Sequence, residues 1–437
     1  MEKPLAKEPS TILIIITAVC LFTPALFSAF LTYSLRNYLL LIGCVLAATI
    51  FFLYHRNFDL TTLGVGFAWL LFAIAAMVSR YFSGESFSFS QIALPLCAFA
   101  VCVAASGVRW VKPVVYCLLV MLCIHLAATL FFLAFPTLYF STVKQWFFAD
   151  YANATGYQCG LSTHYSDNGF LMAMGTILSA SLTFGAKKDK RKWYLLLTIL
   201  FALGLVVTQK RAHLLFTIFA LVCLFANTGV RGKTLKLLVG IIVVFIAASA
   251  ASVLIPGVSE SFERFFGTFT TFESGNVEET TSGRILLWSA AINGWLSNPL
   301  FGNGWGTFYY LWPGGNRSIY AHNELLQILH DTGIIGLTLF LILIISSLVL
   351  AYRNVKRIRA NVIGGALLSV SYFAFAFEVF MITYSCTTGG LLQEPLIYMM
   401  WFFSVAITLA VRNEVASVCK KAAASNQFSP SWRREAV

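Results

Sequence analysis

Apolar runs long enough to cross a bilayer recur along this chain of 437 residues, and they constrain its fold more than any other feature. A membrane-spanning helix needs about 20 mainly apolar residues, because inside lipid the backbone must satisfy its own hydrogen bonds. The runs lie at 11–34, 38–54, 61–79, 90–106, 113–136, 166–185, 193–209, 212–227, 235–255, 334–352, 362–382 and 390–411. The sequence therefore predicts an all-α, polytopic transmembrane bundle of about 12 spans.

Composition agrees with this fold class, since 59% of the residues are hydrophobic and only 11% are charged. Soluble globular domains carry about 25% charged residues. The first run lacks an Ala-x-Ala-like cleavage site and belongs to a multi-span pattern, so we expect it to be a retained span rather than a removed signal peptide.

The net charge of +12 raises the question of nucleic-acid binding, but the distribution of the charges argues against it. With the amino terminus in the cytoplasm, 22 of the 30 Lys and Arg residues fall on the cytoplasmic connections and the two tails. The positive-inside rule accounts for such a bias without any nucleic acid. The basic run 187–192 is then an anchor against anionic lipid headgroups. We expect a multi-pass protein with both termini in the cytoplasm and membrane lipid as a partner.

A long polar segment at 256–333 interrupts the apolar pattern and falls on the extracytoplasmic side of this topology. The same side holds the remaining 8 cations, which oppose the insertion bias. They are Arg36, Arg80, Lys144, Lys210, Arg211, Arg264, Arg284 and Arg317. The polar segment is rich in glycine and aromatic residues and contains a histidine, so we expect the chemistry of the protein to take place there.

Two basic positions stand at predicted helix starts on this face. Lys210-Arg211 opens one span, and Arg284 opens a segment whose apolar residues recur at helical spacing up to Leu296. That spacing predicts an amphipathic helix at the membrane surface, capped by Ser282 or Gly283. An arginine in a first turn opposes the helix dipole slightly, unless an anion docks beside it. A lipid-borne diphosphate fits; pairing with lipid phosphates or with nearby glutamates at 278 and 279 is the alternative.

The turn Asn298-Pro-Leu-Phe-Gly-Asn-Gly-Trp-Gly306 follows that helix. Its glycines permit close approach of a ligand to the backbone, and Trp305 offers a flat face on which a sugar could stack. The alternative is a purely structural chain reversal over the bundle.

Histidines supply the candidates for proton transfer near neutral pH. His322 starts a helix that we expect to end near Gly333, and its alternative role is to cap that helix. His164 lies near a membrane boundary with Asp167 and Asn168, which could bind sugar hydroxyls or the acceptor. Within the spans, we expect His125 to bridge helices and Glu378 to make an interhelical hydrogen bond.

The ten cysteines show no Cys-x-x-Cys pair, and the sequence contains no metal-ligand spacing. Cys159 and Cys386 both fall on the outer side and could form a disulfide, although two loop cysteines leave this open.

Taken together, these motifs resemble the O-antigen ligase/polymerase superfamily, which includes O-antigen ligases and Wzy-type polysaccharide polymerases. The resemblance covers about 197–345 and depends on the order of four pieces on one face of the membrane. They are Thr208-Gln-Lys-Arg211-Ala, Ser282-Gly-Arg284, the glycine-rich turn, and Ala-His322-Asn followed by Asp331-Thr-Gly-Ile-Ile-Gly336.

The resemblance implies a GT-C-like fold and a glycosyltransferase of the bacterial plasma (inner) membrane, active on the extracytoplasmic face. The donor would be a polyprenyl-diphosphate-linked glycan and the acceptor a hydroxyl of a glycan or lipid-glycan, with no metal and no cofactor. Arg211 and Arg284 would hold the diphosphate and His322 would activate the acceptor. Further substrate-binding candidates are Lys210, Trp305, Asn323, His164, Asp167 and Asn168.

The expected organisation has N-terminal spans at 1–195, a ligase/polymerase-like core at 196–352, C-terminal spans at 353–411 and a basic tail at 412–437. A polymerase is favoured slightly over a ligase by the segment around His164. Two alternatives remain open: a transporter or flippase of lipid-linked sugars, and a protein O-oligosaccharyltransferase. Transporters concentrate polar residues at the midplane, whereas here they gather in one outer loop.

Overall fold

The computed structural model describes residues 10–54, 60–84, 110–142, 158–229, 283–312, 315, 317–361, 365–389 and 395–424. The expected spans at 90–106 and 235–255, the expected cap Ser282 and much of the polar segment lie outside these residues. Each of the ten other apolar runs contains an α-helix. The described chain is all-helical apart from one short antiparallel ribbon.

Twelve α-helices and one 3₁₀ turn are described along the chain. They are α1 Thr11–Leu26, a 3₁₀ turn at Ser28–Phe30, α2 Tyr33–Tyr54, α3 Leu60–Phe82, α4 Val111–Ala134, α5 Pro136–Ser141, α6 Tyr165–Gly185, α7 Lys188–Val207, α8 Arg211–Ala226, α9 Arg284–Ser297, α10 Glu324–Ala360, α11 Ala366–Ser385 and α12 Pro395–Ala424. Strands β1 (Tyr310–Leu311) and β2 (Arg317–Ser318) form the ribbon between α9 and α10.

Five helices of the described chain are long and apolar enough to cross a membrane. The qualifying stretches are Tyr33–Ile50, Val111–Ala134, Glu324–Ala360, Ala366–Ser385 and Met399–Cys419. Three shorter apolar helices accompany them: Thr11–Leu26, Phe67–Phe82 and Arg211–Ala226. The expectation of about 12 spans stays a prediction.

Helix α11 lies at the centre of the bundle, where it packs against α6, α8, α10 and α12. One face carries a column of stacked rings, in which Phe377 is followed by Phe380 at 5.9 Å and Phe380 by Tyr384 at 5.5 Å between centroids. All three side chains are buried. Such rings fill much apolar volume at a low cost in side-chain entropy. The column therefore holds the Tyr384 side chain in place near the end of α11.

Two buried polar residues of the spans, Glu378 and His125, join helices, as expected from the sequence. The Glu378 carboxyl accepts hydrogen bonds from Ser347 at 2.8 Å, Ser404 at 2.9 Å and the Trp401 indole at 3.0 Å, and so ties α11 to α10 and α12. The His125 ring is 2.8 Å from the Leu26 carbonyl oxygen and 3.0 Å from Oδ1 of Asn168. These hydrogen bonds confirm the bridging roles of His125 and Glu378.

Candidate functional site

A cluster of ionisable side chains forms where four elements meet near their ends, and we call it the charged cluster. Its members are His164 at the start of α6, Asp167 in α6, Lys210 before α8, Arg284 at the start of α9, and His322 before α10. Electrostatic interactions connect Lys210 with His164, Asp167, Arg284 and His322, and Arg284 with His322. The fold therefore gathers predicted site residues that are up to 158 positions apart in sequence.

Lys210 carries the central positive charge of this cluster. Its ammonium lies 4.2 Å from the centroid of the Tyr165 ring, a cation–π distance. Burial lowers the pKa of Lys210 to about 8, with Arg284 acting in the same direction and the Asp167 carboxylate opposing it. A cation held next to another cation and partly removed from water favours an anion that would neutralise both.

Arg284 is placed by the start of α9, as the sequence predicted. Gly283 is the N-cap residue and adopts φ 72°, a left-handed conformation that glycine accepts readily. A Cβ at this position would lie 2.6 Å from the Trp312 ring, so a larger residue would collide with it. Burial lowers the pKa of the Arg284 guanidinium, which nonetheless stays charged at neutral pH.

His322 has a backbone conformation that is uncommon for a residue other than glycine, with φ 50°. Only Gln209, next to Lys210, shares a positive φ among the described residues other than glycine. Such conformations cost about 1–3 kcal/mol and concentrate at functional sites. Burial lowers the pKa of His322, and the charges of Arg284 and Lys210 lower it further. The imidazole is therefore neutral at pH 7 and able to accept a proton.

A buried hydrogen-bond relay supports the strained backbone at His322. Oε1 of Gln327 accepts the Ala321 N–H at 2.8 Å, and the amide of Gln327 donates to Oδ2 of Asp331 at 3.1 Å. The same carboxyl oxygen accepts the Gly306 N–H at 2.9 Å. The two side chains of this relay, Gln327 and Asp331, are at most 1% exposed, and Ala321 is 0% exposed. Buried side chains therefore connect the residue preceding His322 to the glycine-rich turn.

The glycine-rich turn docks onto a break in α10. Gly333 adopts φ 64° and ψ −166°, a non-helical conformation that divides α10 into two helical segments, so the predicted helix end near Gly333 is confirmed. The turn satisfies the backbone groups exposed by this break: Asn303 N–H donates to the His330 carbonyl at 2.8 Å, and Ile334 N–H donates to the Pro299 carbonyl at 2.9 Å. These hydrogen bonds hold the turn against the break.

Trp305 belongs to the hydrophobic core rather than to an open surface. Its side chain is 7% exposed and packs edge-on against Phe72 at 5.8 Å between ring centroids. Its carbonyl oxygen accepts a hydrogen bond of 2.5 Å from the Arg80 guanidinium. This position favours the structural role of the turn over the stacking of a sugar on Trp305, and it gives Arg80 a structural reason to lie on the outer face.

Two other predicted ligands are used as structural groups. Asn323 is the N-cap of α10, where its Oδ1 accepts the Leu326 N–H at 3.1 Å, so the helix is capped by Asn323 and not by His322. Asn168 is fully buried and bonds His125, Thr129 and the Gln158 carbonyl. Both side chains make hydrogen bonds that position helices, which favours structure over substrate binding.

His164 and Arg211 lie at the edges of the charged cluster. His164 caps α6 by accepting the Ser166 N–H at 2.9 Å, and burial followed by the charge of Lys210 lowers its pKa to about 4. Arg211 is exposed at the first position of α8. Within the described residues it makes no hydrogen bond or ion pair, so the inner cation at this boundary is Lys210 and Arg211 remains available to a ligand.

Helix α9 has one apolar side that faces the protein and another that is exposed. Leu287 and Ala291 are buried, whereas Ile285 and Ile292 are 41% and 39% exposed and lie on the opposite side of the helix. An exposed apolar face is what a helix at a membrane surface presents to lipid.

Several members of the site escaped the sequence reasoning. The Tyr384 hydroxyl bonds the side chains of Ser166 and Thr388, next to the charged cluster. Asp331 and its hydrogen bond with Gln327 were missed as well. The i, i+4 separation of these two polar residues in a predicted helix was the available signal. Cys159 and Cys386 do not form a disulfide with each other, which answers the open question of their pairing.

Comparison with protein families identifies the region that contains most of these residues. Residues 196–341 match the family model described as O-antigen ligase. The match includes Lys210, Arg284 and His322, and it confirms the resemblance to the O-antigen ligase/polymerase superfamily. Comparison with curated proteins found no match. The domain and the apolar helices together indicate an integral membrane protein of polysaccharide biosynthesis with a glycosyltransferase-like reaction.

Proposed function

We propose that this chain, which carries an O-antigen ligase domain at residues 196–341, transfers a glycan from a polyprenyl-diphosphate donor to a hydroxyl acceptor. The observation that carries the proposal is the charged cluster, where Lys210, Arg284 and His322 approach one another from three separate segments. Two cations beside one neutral imidazole are the groups that such a transfer needs.

The cations act on the leaving group. A diphosphate leaves readily once its developing charge is neutralised, and preorganised positive groups in a partly dry site supply this neutralisation. Lys210 and Arg284 are both half-buried, and Arg211 lies exposed beside them. We assign the diphosphate to Lys210 and Arg284, with Arg211 as an outer contact, so that arginine and lysine fill the electrostatic role that a metal ion has in other transferases.

His322 acts on the acceptor. Its neutral ring takes the proton of the acceptor hydroxyl as that oxygen attacks the anomeric carbon. The bond from this carbon to the diphosphate oxygen breaks at the same time, and the polyprenyl diphosphate leaves with the electron pair. Attack from the face opposite the leaving group inverts the anomeric centre. Asp167 acts on Lys210 and offsets part of the positive charge of the cluster.

The same chemistry serves chain lengthening, transfer to a lipid-glycan and transfer to a protein hydroxyl. We favour a polymerase of cell-surface polysaccharide, working on the extracytoplasmic face of the bacterial plasma membrane. A polymerase gives a ladder of products that differ by one repeat unit, whereas a ligase gives one product for each donor chain.

The test is glycan transfer by the purified full chain with Arg284→Ala and His322→Ala. We expect both variants to accumulate as wild type does, with transfer reduced by roughly 10²–10³-fold for the arginine and 10²–10⁴-fold for the histidine. Arg353→Ala, at a position on the predicted cytoplasmic side, is the matched control and should transfer at the wild-type rate. Wild-type glycan profiles from the two site variants would refute the assignment.

A further inference from the structure

His213 is a buried imidazole for which the described protein provides no hydrogen-bond partner. It lies in the first turn of α8 and is 2% exposed, yet within the described residues neither of its ring nitrogens is bonded. An unsatisfied buried polar group costs about 1–3 kcal/mol. His125 shows the usual arrangement, since its Nδ1 can donate to the Leu26 carbonyl oxygen and its Nε2 lies 3.4 Å from the Ser162 hydroxyl, which can donate to it.

The surroundings of His213 place it against the charged cluster. Its ring lies 4.6 Å from the ring centroid of Tyr384, whose hydroxyl bonds Ser166 and Thr388. Gly389, the next residue, packs so closely on the His322 backbone that a Cβ there would lie 2.8 Å from the His322 nitrogen. Lys210 and His164 are the charged and titratable groups that act on His213, with Tyr384 as its ring neighbour.

The chemistry of the ring indicates which ligand satisfies it. Burial beside an ammonium group disfavours a second positive charge, so His213 offers one N–H donor and one nitrogen acceptor. A phosphate oxygen only accepts hydrogen bonds and would leave the acceptor nitrogen empty. A hydroxyl group both donates and accepts, and neighbouring hydroxyls on a sugar ring can serve both nitrogens at once.

We propose that His213 is a carbohydrate-binding residue, which bonds sugar hydroxyls directly beside the diphosphate position at Lys210 and Arg284. This inference rests on the proposed function, because it identifies the sugar subsite of the same centre. Tyr384 forms the wall of the subsite, and its ring keeps the imidazole plane in place. The sugar is either the first residue of the lipid-linked donor or the terminal residue of the acceptor.

The test measures equilibrium binding rather than turnover. The probes are the lipid-linked glycan isolated from the source cells and the free oligosaccharide released from it by mild acid. His213→Phe keeps an aromatic ring against Tyr384 and removes both nitrogens. We expect it to weaken one probe by roughly tenfold to hundredfold, with an unchanged or higher thermal midpoint because an unsatisfied polar group has been removed. Loss confined to the lipid-linked probe assigns the donor sugar; loss with the free oligosaccharide assigns the acceptor sugar.

His125→Phe is the matched control, because it removes a buried imidazole that the protein itself satisfies. It should lower the thermal midpoint and leave both affinities unchanged in the folded fraction. Unchanged affinities of His213→Phe for both probes would overturn the proposal and leave only buried water as the partner of His213. If His213→Phe fails to accumulate, the comparison of His213→Gln with His213→Met replaces it. The glutamine amide retains a hydrogen-bond donor and an acceptor, whereas methionine retains neither. Equal affinities of these two variants for the probes would overturn the proposal as well.

Failure of the proposed function gives a different result. Arg284→Ala that still transfers glycan refutes the catalytic assignment, whatever the affinities of the His213 variants. Conversely, an active wild type with sugar affinity independent of His213 refutes only the subsite.

Discussion

The relay below His322 leads to a quantitative prediction for Gln327→Met, a change that retains side-chain length and removes both hydrogen bonds. Ala321 and Gln327 are 0% and 1% exposed, so water cannot readily replace the lost acceptor of the Ala321 N–H. One buried group left unsatisfied costs about 1–3 kcal/mol, and Asp331 also loses one of its donors. We expect the free energy of unfolding to fall by roughly 2–4 kcal/mol.

The effect on transfer follows from the left-handed backbone at His322. Its strain of about 1–3 kcal/mol is maintained by the surrounding structure. Once the preceding N–H is released, His322 can relax to an ordinary φ, and the competent conformation falls in population by about 5- to 150-fold. We therefore expect kcat to fall by this factor while the KM for the donor, which depends on Lys210 and Arg284, changes little.

The assay is single-turnover transfer by purified protein in lipid nanodiscs, together with a thermal midpoint. Asn354→Leu is the matched control: it removes a buried 2.8 Å bond to the Thr408 carbonyl in the same helix. Asn354 lies 27 residues beyond Gln327, about 40 Å along α10. The control also removes Oδ1 of Asn354, a buried oxygen without a hydrogen-bond partner in the described protein, so we expect little change in stability and an unchanged kcat. A Gln327→Met protein with the expected stability loss and a wild-type kcat would refute the relay as the support of His322.

Three further predictions concern pH, topology and the membrane interior. Because the pKa of His322 is lowered from 6.5, kcat/KM should decline on the acid side only below pH 6.5, where the ring takes up a proton. A second decline near pH 8 should follow the loss of the positive charge on Lys210. Lys210→Met should abolish this second decline and move the first one to higher pH. A profile in Lys210→Met identical to wild type would contradict this reading. Tyr309 is 69% exposed in the polar segment. In a protein whose exposed Cys386 is replaced by Ser, Tyr309→Cys should react with a membrane-impermeant thiol reagent on intact cells. Labelling only after lysis would reverse the topology. Glu378→Leu leaves three donors on α10 and α12 without their Glu378 acceptor and should reduce the free energy of unfolding by roughly 2–4 kcal/mol. Glu378→Gln keeps one carbonyl acceptor and should lose less. Equal thermal midpoints of the two variants and wild type would exclude the carboxyl as a link between the helices.

The helices were predictable because apolar runs of membrane length leave few other structures available to the backbone. The start of α9 at Arg284 was predictable as well, since glycine and the onset of helical spacing mark it locally. The helix end at Gly333 was predictable too, and the structure has a non-helical residue there. The docking of the glycine-rich turn onto this break was not predictable, because it depends on hydrogen bonds between segments that are distant in sequence.

The site was predictable in its charges and less so in their orientation. Lys210 and Arg211 are adjacent, but Lys210 is the extended N-cap residue and half-buried, whereas Arg211 begins the helix and is exposed. Trp305 was expected to face a sugar because tryptophan often does, but Phe72 from a distant helix covers it. The roles of Tyr384 and His213 depend on contacts between α8 and α11, which no local pattern encodes.

The dispersed origin of the charged cluster has a consequence for the biogenesis of the protein. Its contributors extend from His164 to the Gly389 backbone that packs on His322. During synthesis, a chain released before residue 389 lacks one wall of the centre, however many helices have already inserted. The nascent protein should therefore pass through most of its membrane integration without activity, and it should acquire that activity in a single late step, when α11 docks between its neighbours.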